Sequence, residues 1–104
     1  MEIEWDQAKE DYNIREHGFE FSFAKIVFDS AFPIEVYDRF ENGEHRYHTF
    51  GVIGQSVLLV VHSYPDEDEE GYPTVIRVFG IRRATPEEKR NYERERTRSY
   101  GPID

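Results

Sequence analysis

The chain has 104 residues, 38% of them hydrophobic and 15% aromatic, which suits one domain around one core. It has no cysteine, so disulfides and thiolate chemistry are excluded, and no run of 18 apolar residues, so no spanning helix is expected. The net charge is −9, unevenly spread: residues 1–50 carry 12 acids against 5 bases, and residues 77–100 carry 8 bases against 4 acids.

A basic C-terminal third on an acidic chain predicts a local anion surface, with a solvated, salt-bridged helix over 87–98 as the plainer alternative. The opening "MEIEWD" lacks the apolar stretch of a secretory signal. The expectation is a cytoplasmic protein with no membrane contact.

In chain order, "EIEW" (2–5) alternates as a short strand. Asp6 caps a helix through residue 16 with Ala8 and Tyr12 on one face, and Gly18 stands at its left-handed end. A second helix starts at Ser22, with Phe21 and Ile26 placed as a hydrophobic staple, and stops at Ala31-Phe32-Pro33. "IEVYD" (34–38) and "RYHTFGVI" (46–53) read as strands around an Asn42-Gly43 hairpin turn. Gly54-Gln55-Ser56 is the next turn, and "VLLVVHSY" (57–64) is apolar enough for a central strand. "PDEDEEGYP" (65–73) reads as a solvated loop, and "TVIRVFGIRR" (74–83) as a long strand. Thr85, Pro86 and Glu88 then form a capping box at the start of a helix that reaches the mid-nineties. The order β-α-α-β-β-β-β-α predicts an α+β domain over 1–96, a small antiparallel sheet with two N-terminal helices and one C-terminal helix, followed by a tail over 97–104.

The sequence holds no phosphate loop, HExxH or GxSxG pattern. His45 and His48 are three apart, which puts them on opposite faces of a strand, so neither a metal site nor a cofactor is expected. Strand alternation places Arg46, His48, Phe50 and Val52 on one face, and Leu58, Val60, His62 and Tyr64 on one face of the next strand. In the long strand Ile76, Val78, Gly80 and Arg82 lie opposite Val75, Arg77, Phe79, Ile81 and Arg83. Arg46 and His48 are thereby expected beside His62 and Tyr64, gathering two imidazoles and an arginine at one sheet edge. Such a set suits RNA cleavage, in which imidazoles move protons and a guanidinium clamps phosphate. Each residue also has a structural reading: a half-exposed strand-end histidine, His17 as a cation on the helix C-terminus, Arg77 paired with a carboxylate.

Three stretches carry a family resemblance. "WDQAKEDYNIREHG" (5–18) resembles the opening motif of the BrnT toxins, W-D-x-x-K-x-x-x-N-x-x-K-H-G. "GEHRYHTFG" (43–51) is similar to their G-E-x-R-Y-x-x-x-G, and "FGIRRATPEEKRNY" (79–92) to their arginine-bearing strand end and the helix after it. The resemblance implies a RelE-like fold and a type II toxin, an RNA-cleaving protein that blocks translation. It implies as partner a BrnA-type ribbon-helix-helix antitoxin, through which alone operator DNA is reached. Carried over by position, Lys9, Glu44, Arg46 and Arg82 become catalytic candidates, joined by His48 and His62 from strand geometry. Asn13, His17, Arg77, Arg83 and Tyr92 are RNA-binding candidates, with Arg83 expected to face away from Arg82. Glu16 stands where the family has lysine, and Gly80-Ile81 where it has Ser-Ala. Together with the acidic charge, these departures favour an alternative: a toxin-fold protein with weak or no nuclease activity that acts as antitoxin partner or co-repressor.

Overall fold

The computed structural model describes residues 1–102. Its elements are β1 (Glu2–Trp5), α1 (Gln7–His17), a 3₁₀ turn (Phe21–Phe23), α2 (Ala24–Phe28), β2 (Ile34–Glu41), β3 (Glu44–Ile53), β4 (Ser56–Glu67), β5 (Pro73–Arg83) and α3 (Pro86–Tyr100). The α+β order expected from the sequence is therefore found, and it is compatible with a RelE-like fold. The five strands form one sheet in the order β1-β5-β4-β3-β2. The sheet is mixed and not wholly antiparallel: β1 pairs in parallel with β5, Glu2 beside Val75 and Trp5 beside Val78. The chain has already crossed the sheet by the time β5 forms, so β1 docks on its outer edge.

α1 and α2 cover one face of the sheet. Phe21, Ala24, Val27, Leu58, Val60, Ile76, Val78 and Ile81 make the core there. Phe21 is fully buried, with Trp5 set edge-on against it at 6.1 Å, and such burial is worth about 2 kcal/mol. α2 lies almost on the backbone of β3, because a Cβ at Gly51 would meet Ser30 Oγ, and Val27 O at 2.9 Å. On the other face α3 packs through Tyr92 against Phe50, Val57 and Leu59.

Local signals explain much of this. Gly18 ends α1 at φ 82° and Asn42-Gly43 turn the β2–β3 hairpin at φ 51° and 79°. Thr85 and Glu88 form the reciprocal capping box of α3. Other expectations are corrected. The inward face of α1 is polar, made of Glu10 and Asn13, while Tyr12 is exposed. Glu10 Oε2 accepts the Phe21 N–H at 2.8 Å, so it holds the segment that the sequence had starting at Ser22. Ile26 is exposed and makes no staple with buried Phe21. Strand β4 runs on through Asp66 and Glu67, because both pair with β5. Only residues 68–72 turn, around Asp68, whose carboxylate accepts the N–H groups of Glu70 and Tyr72 at 2.9 and 3.0 Å. α3 extends to Tyr100, whose hydroxyl donates to Pro33 O at 2.8 Å, so the start of the expected tail is helical. Residues 103 and 104 of that tail lie outside the described residues.

Candidate active site

Two details of register decide which side chains meet. The β3–β4 turn has two residues, Gly54 and Gln55, so Ile53 pairs with Ser56 and every later pair follows: Tyr47 with His62, Arg46 with Ser63, His48 with Val61. In β5 the ladder skips one residue, passing from Val61–Gly80 to His62–Val78 and leaving Phe79 unpaired. This bulge inverts the alternation along β5. Val78 and Ile81 consequently both enter the helix-covered core, and Arg77 and Arg82 share the opposite face with Arg46 and His48.

That opposite face, beyond the end of α3, carries a band of charge. Glu44, at the start of β3, accepts a hydrogen bond from Ser63 Oγ at 3.0 Å and pairs with the Arg77 guanidinium. Arg77 is also held by Glu4 at 2.9 Å. Arg46 is 8% exposed and its guanidinium carbon lies 4.0 Å from the centre of the Phe79 ring, which the bulge presents. Lys9 reaches the same ring from α1, at 4.8 Å. Arg46 Nη1 pairs with Glu41 at 3.0 Å, and its buried Nε has no hydrogen-bond partner among the described residues. His48 Nε2 stands 3.5 Å from Asp38 Oδ2. Burial pushes the His48 imidazole below its ordinary pKa, against the pull of Asp38, so its neutral form is favoured.

The row of His48 and Val61 ends at Gly80, which has no side chain, and the next row of Phe50 and Leu59 ends at Arg82. Arg82 is clamped by Glu88, Nη1 to Oε1 at 2.7 Å and Nη2 to Oε2 at 2.9 Å. That guanidinium is the main cause holding the Glu88 carboxyl down at about 2. The arrangement offers a neutral imidazole beside the Arg46 and Arg82 guanidinium groups on one sheet face. Chemically it can accept a proton and surround a phosphate with donors.

A family profile described as "Ribonuclease toxin, BrnT, of type II toxin-antitoxin system" matches residues 5–88. The chain belongs to the BrnT family. No curated protein matches it significantly. The BrnT profile spans Lys9, Glu44, Arg46, His48, Arg82 and Glu88, all of the charged band except Glu4, and stops before Tyr92. Family membership makes the chain a ribonuclease toxin of a type II system, with RNA as substrate and an antitoxin as partner.

Several residues singled out in the sequence lie elsewhere. His62 is on the helix-covered face, wholly buried, 2.7 Å from Thr49 Oγ1 and packed against Phe28. The expected meeting of His62 with Arg46 and His48 does not occur. The sequence reading allowed three residues for the β3–β4 turn, and the two-residue turn shifts the register by one, which flips the face. Asn13 is 3% exposed and binds the free edge of β5, donating to Ile81 O at 3.0 Å and accepting from Ile81 N at 3.1 Å. It also donates to Phe19 O, at 2.9 Å. Its role is structural. Tyr92 is a core residue whose hydroxyl donates to Phe32 O at 2.7 Å, and it also lines a groove beside His48. His17 is exposed at the end of α1, away from the band, and Arg83 points to the other face, its guanidinium 5.8 Å from the Phe19 ring.

The residues missed in the sequence are Asp38, Glu41 and Phe79. Glu88 had been given a capping role only. A bulge between Tyr37 and Arg39 places Asp38 and Glu41 against His48 and Arg46. Nothing local marks the bulge in β2, whereas Gly80, an isolated glycine within a strand pattern, is a local sign of the one in β5. Among the described residues no three His, Cys, Asp or Glu side chains converge as a metal site. Among the described residues no helix is long and apolar enough to cross a membrane.

Proposed function

We propose that the chain is an endoribonuclease that inhibits translation by cleaving RNA without a metal ion, and that Arg46, His48 and Arg82 form its site. The observation carrying this reading is the shared sheet face of those three side chains, where Arg46 is nearly buried and its Nε lacks a partner among the described residues. A buried guanidinium donor without a partner is costly unless something arrives to use it. A phosphate oxygen is the acceptor that suits the geometry of a guanidinium fork.

In this reading neutral His48 takes the proton of the ribose 2′-hydroxyl. The 2′-oxygen attacks phosphorus, and Arg46 and Arg82 neutralise the phosphorane. The bond to the 5′-oxygen breaks, that oxygen takes a proton from water, and a 2′,3′-cyclic phosphate and a 5′-hydroxyl result. Lys9 and the Glu44–Arg77 pair border the path of the flanking strand. The protein acts in the cytoplasm and is held inactive by a BrnA-type ribbon-helix-helix antitoxin.

One observation favours the weaker alternative, a toxin-fold partner or co-repressor with little nuclease activity. Each of the three proposed site residues already has a carboxylate: Arg46 has Glu41, His48 has Asp38 and Arg82 has Glu88. RNA must displace or outbid these acids, on a chain of net charge −9. Expression without an antitoxin separates the two readings. Growth arrest relieved by Arg82→Ala or Arg46→Ala at equal protein level supports the enzyme, and no arrest supports the alternative.

A further inference from the structure

Beside His48 a groove of about 170 Å³ runs between β2 and α3. Its floor is the rings of Phe50 and Tyr92, and its strand-side wall is Ile34 and Val36. The helix side presents Asn91 and Glu95, which follow Glu88 at three and seven positions and therefore lie on one face of α3. We propose that this groove is a base subsite that takes guanine from the RNA strand beside the scissile phosphate. The inference rests on the ribonuclease reading above and adds the specificity of the same site.

Three features argue for a nucleobase. The volume is well below the 300 Å³ or more of drug-sized pockets, and suits one planar ring system. The lining is apolar and aromatic with a few polar groups at one side, which is how single-stranded bases are held and read. His48 and Glu88 line its mouth, and Glu88 holds Arg82, so a base seated here leaves its phosphate at the proposed catalytic cations.

The polar groups choose the base. Glu95 has only acceptors to offer, and its surface pair with Arg98 at 3.2 Å is too exposed to hold it. Guanine alone presents two adjacent donors, N1–H and the exocyclic amino group, which a carboxylate receives in parallel. Adenine and cytosine each set one donor beside an acceptor, and uracil sets its single N–H between two carbonyls. Asn91, which can donate and accept, is placed to meet guanine O6.

The test is titration of the ¹⁵N-labelled full chain with guanosine 3′-monophosphate and with its adenosine, cytidine and uridine counterparts. We expect shifts confined to residues 34–36, 48–50 and 88–95 and a preference for guanosine of about tenfold or more, the worth of one good bidentate pair. Glu95→Gln should erase the preference, Asn91→Ala should reduce it, and both should keep the wild-type spectrum elsewhere. Equal binding of all four nucleotides, shifts elsewhere, or an unchanged preference in Glu95→Gln overturns the inference. Cleavage mapping on RNA of mixed sequence distinguishes the two levels. Cleavage without guanine preference sinks the subsite and leaves the nuclease, and guanosine binding without cleavage does the reverse.

Discussion

Arg82 and Glu88 hold each other through two hydrogen bonds, at 2.7 and 2.9 Å, across the junction of β5 and α3. The same carboxylate accepts the Thr85 N–H at 2.8 Å, so the group that caps the helix also occupies the proposed phosphate clamp. Helix start and active site are thus one structure, and changes at either residue should be read in both stability and RNA binding.

Glu88→Gln is the first case. The carboxyl is held at about 2 in the fold, against about 4.3 in an unfolded chain. A depressed acid contributes stability that is complete above the unfolded value and is lost as pH falls through the folded one. Urea denaturation at pH 7 should show Glu88→Gln about 1–2 kcal/mol less stable, and the wild-type loss between pH 4.3 and about 2 should be smaller in the variant. Binding of an RNA oligomer should tighten, since Arg82 is released. Weaker RNA binding would show that the carboxylate positions Arg82 and does not compete for it.

Asn13→Ala should damage the fold. It removes three hydrogen bonds, two of them buried, and leaves both polar groups of Ile81 unpaired beyond the reach of β1. A loss of about 2–4 kcal/mol is expected in denaturation at unchanged m-value. Wild-type stability with impaired RNA binding would restore Asn13 to the RNA-binding set.

What the sequence disclosed follows from the range of the interactions. The capping box of Thr85 and Glu88, the Asn42-Gly43 turn and the helix end at Gly18 are local chemistry, and all three are found. The three family motifs pointed to Arg46 and Arg82 by spacing alone, and the register brings the two to one face of the sheet. His62 failed because one residue in the length of the turn at Gly54 decides a face. The long strand failed at Phe79, where a bulge signalled only by the isolated Gly80 exchanges the sides of Val78 and Arg77 relative to Arg82. The buried role of Asn13 depends on a strand edge 68 residues away, and that of Glu10 on the Phe21 N–H 11 residues on, neither of which periodicity along one helix reports.

The two histidines should part company on titration. His62 is buried with its pKa pushed down to about 4. Between pH 6.5 and about 4 the unfolded chain binds a proton that the fold refuses, so stability falls as pH falls, by about 1.4 kcal/mol per unit. His62→Gln should flatten that slope over the same window. A His62 imidazole that protonates near 6.5 by NMR would contradict the burial argument.

His48 should instead appear in the activity. Its pKa lies below the ordinary 6.5, chiefly through burial, and the base form is the active one. Cleavage should therefore rise with pH along an acid limb centred below 6.5, and that limb should shift downward in Asp38→Asn, which removes the charge that holds the pKa up, and vanish with His48→Ala. A rate that falls as pH rises through this region would make His48 an acid.

The most direct measurement is cleavage of a single-stranded RNA by the purified chain in excess EDTA, comparing wild type with His48→Ala, Arg46→Ala and Arg82→Ala. The account predicts 2′,3′-cyclic phosphate products from the wild type and a loss of about 10²-fold or more in each variant that keeps its fold by circular dichroism. Folded variants that cleave like the wild type, or a wild type silenced by EDTA, would contradict it.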